Sequence, residues 1–234
     1  VSDKPIIVVT GTGPGTGSAV VRRFAKEGYR VMMLARSSSI IGALEKELPD
    51  CYAIVCDVSD EAQVRRAAAA IRDQYGTPEI LVHNAVGGGR GNFMDIEPKV
   101  LNRNFQVNVM GLLYLAREFA PAMVEAGAGA IVVTGNTSAL RGRTNFAGFA
   151  PTKAAQRILS ESMARELGPK GVHVAYLLID AVIDVPWTRE QYSDAADSFF
   201  IKPAAIADEV WHLCRQDRSA WSFLSELRPY GENW

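Results

Sequence analysis

The run Thr10-Gly11-Thr12-Gly13-Pro14-Gly15-Thr16-Gly17 lies between the apolar stretch Ile6-Ile7-Val8-Val9 and a helix-like segment, Ser18 to Glu27. No other feature constrains the chain as strongly. A buried strand that turns this sharply into a helix, with so few β-carbons at the turn, brings bare backbone to the helix N-terminus. Unpaired N–H groups and a partial positive charge collect there. The chemistry suited to that place is a phosphate, and the leading ligand is a dinucleotide held by its diphosphate.

The rest of the chain alternates in the same sense. Short β-branched runs at Ile6–Thr10, Arg30–Leu34, Tyr52–Cys56, Ile80–His83, Ala130–Thr134 and His173–Leu178 predict six strands. Helical patterns near Gly17–Glu27, Ser38–Leu48, Glu61–Tyr75, Pro98–Glu125 and Ala150–Leu167 separate them, enough for right-handed crossovers on both faces of a parallel sheet. A further helix at Pro203–Arg215 precedes Trp221–Leu227, a candidate seventh edge strand. The irregular, aromatic Val185–Lys202 is a candidate lid. The expected fold class is α/β, a doubly wound parallel sheet of about seven strands with helices on both faces, in one domain spanning 1–234. A length of 234 residues with 48% hydrophobic content suits one such domain without covalent staples.

Composition excludes several classes. A net charge of −1 with scattered Lys and Arg argues against a nucleic-acid surface, which needs a concentrated basic stripe. Cys51, Cys56 and Cys214 make neither a CxxC pair nor an even framework, so they are expected as packing thiols in a reducing cytoplasmic setting. No apolar run is long enough for a membrane span, and a secretory signal is not expected. His83, His173 and His212 lack ligand spacing with one another or with cysteine, so no metal is expected.

Strand ends carry the ligand in a sheet of this kind. The common Rossmann spelling Gly-x-Gly-x-x-Gly fails, because Gly11 and Gly13 would require a third glycine at Thr16. The spelling met is Thr-Gly-x-x-x-Gly-x-Gly, at Thr10, Gly11, Gly15 and Gly17, with Pro14 and Thr16 inside the turn. It resembles the short-chain dehydrogenase/reductase family, and later landmarks extend the resemblance over nearly the whole chain. After the second strand, where an NAD-preferring domain places an acid, the chain has Ala35-Arg36-Ser37. A guanidinium there suits a 2′-phosphate, so NADP(H) is expected in preference to NAD(H).

The resemblance implies the remaining cofactor contacts. Asp57-Val58 matches the acid-plus-aliphatic pair that meets adenine, although Asp57 reads equally well as a turn residue. His83-Asn84-Ala85-Val86 resembles the family's Asn-Asn-Ala-Gly and keeps Asn84 and Ala85, while His83 is expected to pack or hydrogen-bond at the strand end. Gly87-Gly88-Gly89-Arg90-Gly91 is expected to be a mobile loop. Past the sixth strand the family's Pro-Gly-x-Val-x-Thr is replaced by Asp180-Ala181-Val182-Ile183-Asp184-Val185, where Ile183 keeps a backbone contact to the carboxamide and two aspartates are new.

The resemblance also implies where catalysis sits. The family places Tyr-x-x-x-Lys on a helix, with a serine thirteen residues before the tyrosine and an asparagine upstream that completes a water relay. Here Phe149-Ala150-Pro151-Thr152-Lys153 keeps Lys153 and puts Phe149 at the tyrosine position, and the serine position is Asn136, within Thr134-Gly135-Asn136-Thr137-Ser138. Asn108, in Val107-Asn108-Val109, is the relay asparagine. Asn136 retains an amide able to steady a substrate oxygen, and Thr137 or Ser138 would substitute if the register slips. A phenyl ring donates no proton, so three other sources stand open: Lys153 with a lowered pKa, a water held by Asn108, or Tyr192 from the lid, ranked in that order.

The expected function is NADP(H)-dependent hydride transfer to or from a carbonyl or alcohol substrate with an atypical proton source. The alternative is an NADP(H)-binding sensor or structural subunit without redox turnover. Trp187, Tyr192, Phe199 and Phe200 suggest either an apolar substrate surface or packing. The aromatic tail from Trp221 to Trp234 is expected to dock, and a homodimer or homotetramer is expected from the resemblance.

Overall fold

A computed structural model describes residues 4–231. In chain order its elements are β1 (Ile6–Thr10), α1 (Thr16–Lys26), β2 (Arg30–Ala35), α2 (Ser38–Glu47), β3 (Cys51–Val55), α3 (Glu61–Gln74), β4 (Ile80–His83), α4 (Pro98–Phe105), α5 (Gly111–Ala126), β5 (Gly129–Gly135), α6 (Ala150–Leu167), β6 (Val172–Ile179), β7 (Val182–Ile183), α7 (Pro186–Gln191), β8 (Phe200–Ile201), α8 (Pro203–Cys214) and β9 (Leu224–Leu227). The main sheet has seven strands in the order β3-β2-β1-β4-β5-β6-β9, and every neighbouring pair is parallel. This is the expected single-domain α/β sandwich, closed by a seventh strand shorter than the sequence suggested.

Period-two alternation decides which side chain serves which layer. From β1, Ile6 and Val8 pack with Leu112, Leu115 and Phe119 of α5, while Ile7 and Val9 pack with Val20, Val21 and Phe24 of α1 and Ile206 of α8. Burying both faces of the central strands is what makes them continuous apolar runs. Cys51 and Cys56 are buried in these layers, and burial pushes both thiols up to about 11, as suits inert packing residues.

The expected helix Pro98–Glu125 is interrupted. Between α4 and α5 the turn Gln106–Met110 is a π-helix. Asn108 sits in that turn. Of the aromatic tail, expected to dock on a neighbour or on its own domain, Trp221 stacks on His173, with ring centroids 4.9 Å apart, while Tyr230 is 95% exposed. Trp234 lies outside the described residues.

Candidate active site

Strand order reverses between β1 and β4, and the crevice opens outside their carboxyl ends. Gly11 has φ +66, and a β-carbon on it would stand 2.5 Å from the backbone of Ala85, so the turn after β1 and the segment after β4 touch as only glycine permits. A β-carbon on Gly17 would stand 2.6 Å from the Gly11 carbonyl, which ties the start of α1 to the same turn. Asn84 completes the joint: its amide donates to the Gly11 carbonyl at 2.9 Å and its oxygen accepts from the Thr134 hydroxyl at 3.0 Å.

The cleft above this joint holds about 660 Å³ and is walled by the whole glycine turn, Arg36, Asp57, Val58, Ala85, Asn136, Lys153 and Ile183. All twelve expected cofactor-binding residues therefore meet in one place: Gly11, Pro14, Gly15, Thr16, Gly17, Arg36, Asp57, Val58, Asn84, Ala85, Lys153 and Ile183. The turn has the features a diphosphate needs. Helix α1 opens at Gly15 with no side-chain cap, and the hydroxyl of Thr16, buried in its first turn, has no hydrogen-bond partner among the described residues. A buried donor left without a protein partner at a helix N-terminus fits an anion that completes it.

Farther along the cleft, Arg36 is exposed at the end of β2. Asp57 is half-committed: it accepts from the Ser59 backbone and hydroxyl on one oxygen and pairs with Arg103 at 3.2 Å on the other. Burial pushes its pKa up, but the Ser59 hydrogen bonds and the charges of Arg103 and Arg36 outweigh burial and hold the carboxyl below its ordinary value.

At the catalytic end the four family positions divide. Lys153 and Asn136 line the cleft, whereas Asn108 and Phe149 do not. Lys153 is 2% exposed; its ammonium donates to the Thr134 carbonyl at 3.0 Å and to the side-chain oxygen of Gln156, and burial lowers its pKa to about 7. Asn136 spends its oxygen on the Ser138 backbone N–H at 3.1 Å, which leaves its NH₂ for a ligand. The register does not slip, for Thr137 donates to Asp180 and Ser138 is buried away from this cleft. Phe149, also buried, caps the N-terminus of α6.

Asn108 has a different task. Its oxygen accepts from Gly87 N–H at 2.8 Å, and its NH₂ donates to the Gly87 carbonyl at 3.0 Å and the Thr152 hydroxyl at 2.8 Å. Every side-chain group able to hold a water is thus occupied. The glycine run after β4 is correspondingly pinned. Asn104 bonds both backbone groups of Gly89, and Gly91 N–H donates to the Asn145 carbonyl at 2.8 Å.

His83 is fully buried beside Lys153, with its Nδ1 3.3 Å from the Thr10 hydroxyl; burial first, then the Lys153 charge, lowers its pKa to about 3. The two unexpected aspartates face away from the cleft. Asp184 is clasped by Arg189, and Asp180 lies 3.0 Å from Arg228. Within the segment expected as a lid, Trp187 and Tyr192 reach the cleft wall, while β8 pairs with β7 beneath them.

Two residues escaped the sequence reading. Gln156 lies one turn after Lys153 on α6 and fills the space between Lys153 and Asn108; only its i+3 spacing from the lysine hinted at it. Arg90, hidden in a glycine run, lines the cleft with its guanidinium 4.6 Å from the Phe146 ring centroid and 6.0 Å from that of Phe149.

Among the described residues no group of three or more His, Cys, Asp or Glu is placed to hold a metal ion, and no helix is long and apolar enough to cross a membrane.

The model of the family described as short chain dehydrogenase matches residues 5–194. D-erythrulose reductase of Gallus gallus is 32% identical over 168 residues, covering 71% of this chain and 67% of that protein. Among solved structures, a short-chain dehydrogenase from Rhodopseudomonas palustris is 30% identical, with TM-score 0.82 over 97% of this chain and 99% of that one. A metagenomic short-chain oxidoreductase in complex with NADP is 26% identical, with TM-score 0.84 over 97% and 98% of the two chains.

Proposed function

The chain belongs to the short-chain dehydrogenase family, and from that premise we propose that it is an NADP(H)-dependent oxidoreductase acting on a carbonyl or alcohol substrate, with a proton source other than tyrosine. One observation carries the reading: the uncapped start of α1, Arg36 at the end of β2 and the buried amine of Lys153 line one continuous cleft. When bound, the nicotinamide supplies or accepts the hydride. The chain's own residues do the rest. The α1 N-terminus and the Thr16 hydroxyl hold the diphosphate, and Arg36 holds the 2′-phosphate, which favours NADP(H) over NAD(H). Asp57, Val58, Asn84, Ala85 and Ile183 frame the adenine and carboxamide ends, and the Asn136 amide steadies the substrate oxygen.

Among proton sources, Lys153 is favoured, because a pKa of about 7 lets the amine give or take a proton near neutrality. Tyr192, on the cleft wall, is the next choice. A water on Asn108 is disfavoured by the three hydrogen bonds that occupy that side chain. The segment 185–202 is the lid in this reading, and Asn108 and Phe149 support the site from behind. A second reading, an NADP(H)-binding sensor or structural subunit without turnover, draws on the one fact that Phe149 and Asn108 do not reach the cleft.

The deciding experiment is a fluorescence titration with NADPH and NADH, followed by NADPH oxidation against a carbonyl panel at high protein concentration. Tighter NADPH binding with turnover is expected. Binding without turnover moves the assignment to the sensor, and binding of neither coenzyme ends both readings.

A further inference from the structure

Arg90 is an exposed cation that the chain takes trouble to place. It stands between Gly89 and Gly91, whose backbone groups are tied to Asn104 and Asn145, and Gly87 is tied to Asn108. The close fit requires glycine, since a β-carbon on Gly89 would come within 2.5 Å of Val100. The guanidinium rests against the faces of Phe146 and Phe149. Stacking holds its plane while leaving the N–H donors at its edge, and among the described residues no carboxylate or carbonyl takes a hydrogen bond from it.

Its position gives that unpaired edge a meaning. Phe149 occupies the tyrosine position yet does not reach the cleft, whereas Arg90, lying over that ring, does. The acid on the cleft wall is Asp57, at the far end beyond Arg36, so no negative charge on this wall balances Arg90. Nearby, Val86, Trp187 and Tyr192 put exposed apolar surface on the same wall. A planar fork of donors beside an apolar surface is the recognition chemistry for a carboxylate carried on an apolar body. One isolated guanidinium suits a singly charged, planar carboxylate better than a phosphate dianion.

Resting on the oxidoreductase reading above, we propose that Arg90 is the substrate-recognition residue of this site and that the substrate is an oxo acid, or the matching hydroxy acid, with an apolar body. Its carboxylate pairs with the Arg90 guanidinium, and its reacting carbonyl lies toward Asn136 and Lys153. Asn104 and Asn108 are positioning residues that hold the loop presenting Arg90.

The test measures binding, so it does not depend on turnover. Calorimetry compares 2-oxo-4-phenylbutanoate with its methyl ester on the wild-type protein and on Arg90→Gln and Arg90→Lys, each with and without NADP⁺. The wild type is expected to bind the acid at least tenfold tighter than the ester, Arg90→Gln to bind both alike, and Arg90→Lys to retain part of the preference. NADPH affinity should be the same in all three proteins. Equal binding of acid and ester by the wild type, a preference that survives in Arg90→Gln, or no binding of either probe at millimolar concentration each overturns the proposal. Failure of NADP⁺ to bind overturns the oxidoreductase reading instead, and the cofactor-free arm still decides the role of Arg90.

Discussion

The side-chain amide of Gln156 donates to the backbone carbonyl of Asn108 at 2.7 Å. The same side chain accepts from the Lys153 ammonium, so one residue joins Lys153 to a backbone carbonyl of the π-turn. The family resemblance implies a water relay through the asparagine at this place. Here a protein side chain spans the gap.

Replacing Gln156 by leucine keeps the volume and removes both bonds. Two buried groups lose a partner, each worth about 1–3 kcal/mol. The variant should lose about 2–6 kcal/mol in urea unfolding, and Lys153, freed of its acceptor, should titrate lower still. Unchanged stability would show that the bridge is incidental.

Lys153 makes the stability of the free protein depend on pH. Its folded pKa, about 7, lies below the ordinary lysine value of 10.5, so between these values the unfolded chain binds more protons than the folded one. Stability from this group is lowest below pH 7 and rises as pH increases through that window. Urea midpoints from pH 7 to 8, below the ordinary value of 9.0 at which the thiols of the unfolded chain titrate, should climb in the wild type and lose that component in Lys153→Met.

His83 acts in the same direction at lower pH. With a folded pKa of about 3 against an ordinary 6.5, it is buried neutral, and folding is destabilised progressively as pH falls from 6.5 toward 3. His83→Asn, which installs the residue the family carries there, should flatten the acid limb of the stability profile measured by urea unfolding.

Restoring the phenol alone should not restore a general acid. A positioned one contributes about 10²–10⁴ in rate, but Phe149 is 4% exposed and does not line the cleft. Phe149→Tyr should therefore raise the rate of carbonyl reduction by less than about tenfold, well short of that contribution. A larger gain in kcat would mean that the ring reaches the substrate.

Arg36→Ala removes the charge expected on the 2′-phosphate. A charge-assisted hydrogen bond of about 1.5–3 kcal/mol corresponds to a loss of about 10- to 100-fold in NADPH affinity, with NADH binding little changed. Equal losses for both coenzymes would assign Arg36 to the fold.

The period of the apolar runs located every strand of the main sheet to within a few residues, and for the central strands β1, β2, β4, β5 and β6 burial on both faces leaves little other composition. Helix α6, Ala150–Leu167, came out at its observed bounds, since Phe149 and Gly168 mark its ends. The glycine spacing named the ligand cradle for a local reason too, because the turn, the strand before it and the helix after it are contiguous in sequence. The π-turn at Asn108 carried no such sign. It interrupts a pattern that reads as one helix, and its cause lies in partners on other elements.

Sequence by itself determined the α/β class, the glycine turn that carries β1 into α1, and Arg36 at the end of β2, all features written in neighbouring residues. Tertiary structure alone decided which polar groups remain free for chemistry. Asn108 lies 44 residues from Thr152 and 48 from Gln156, and its capacity is spent only because the fold brings them together. Arg90, an ordinary arginine in a glycine run, becomes a cation on the cleft wall held by two aromatic rings more than fifty residues away. Hydrogen-bond valence and desolvation are set by what surrounds a group in space, and for buried groups that environment comes from distant parts of the chain.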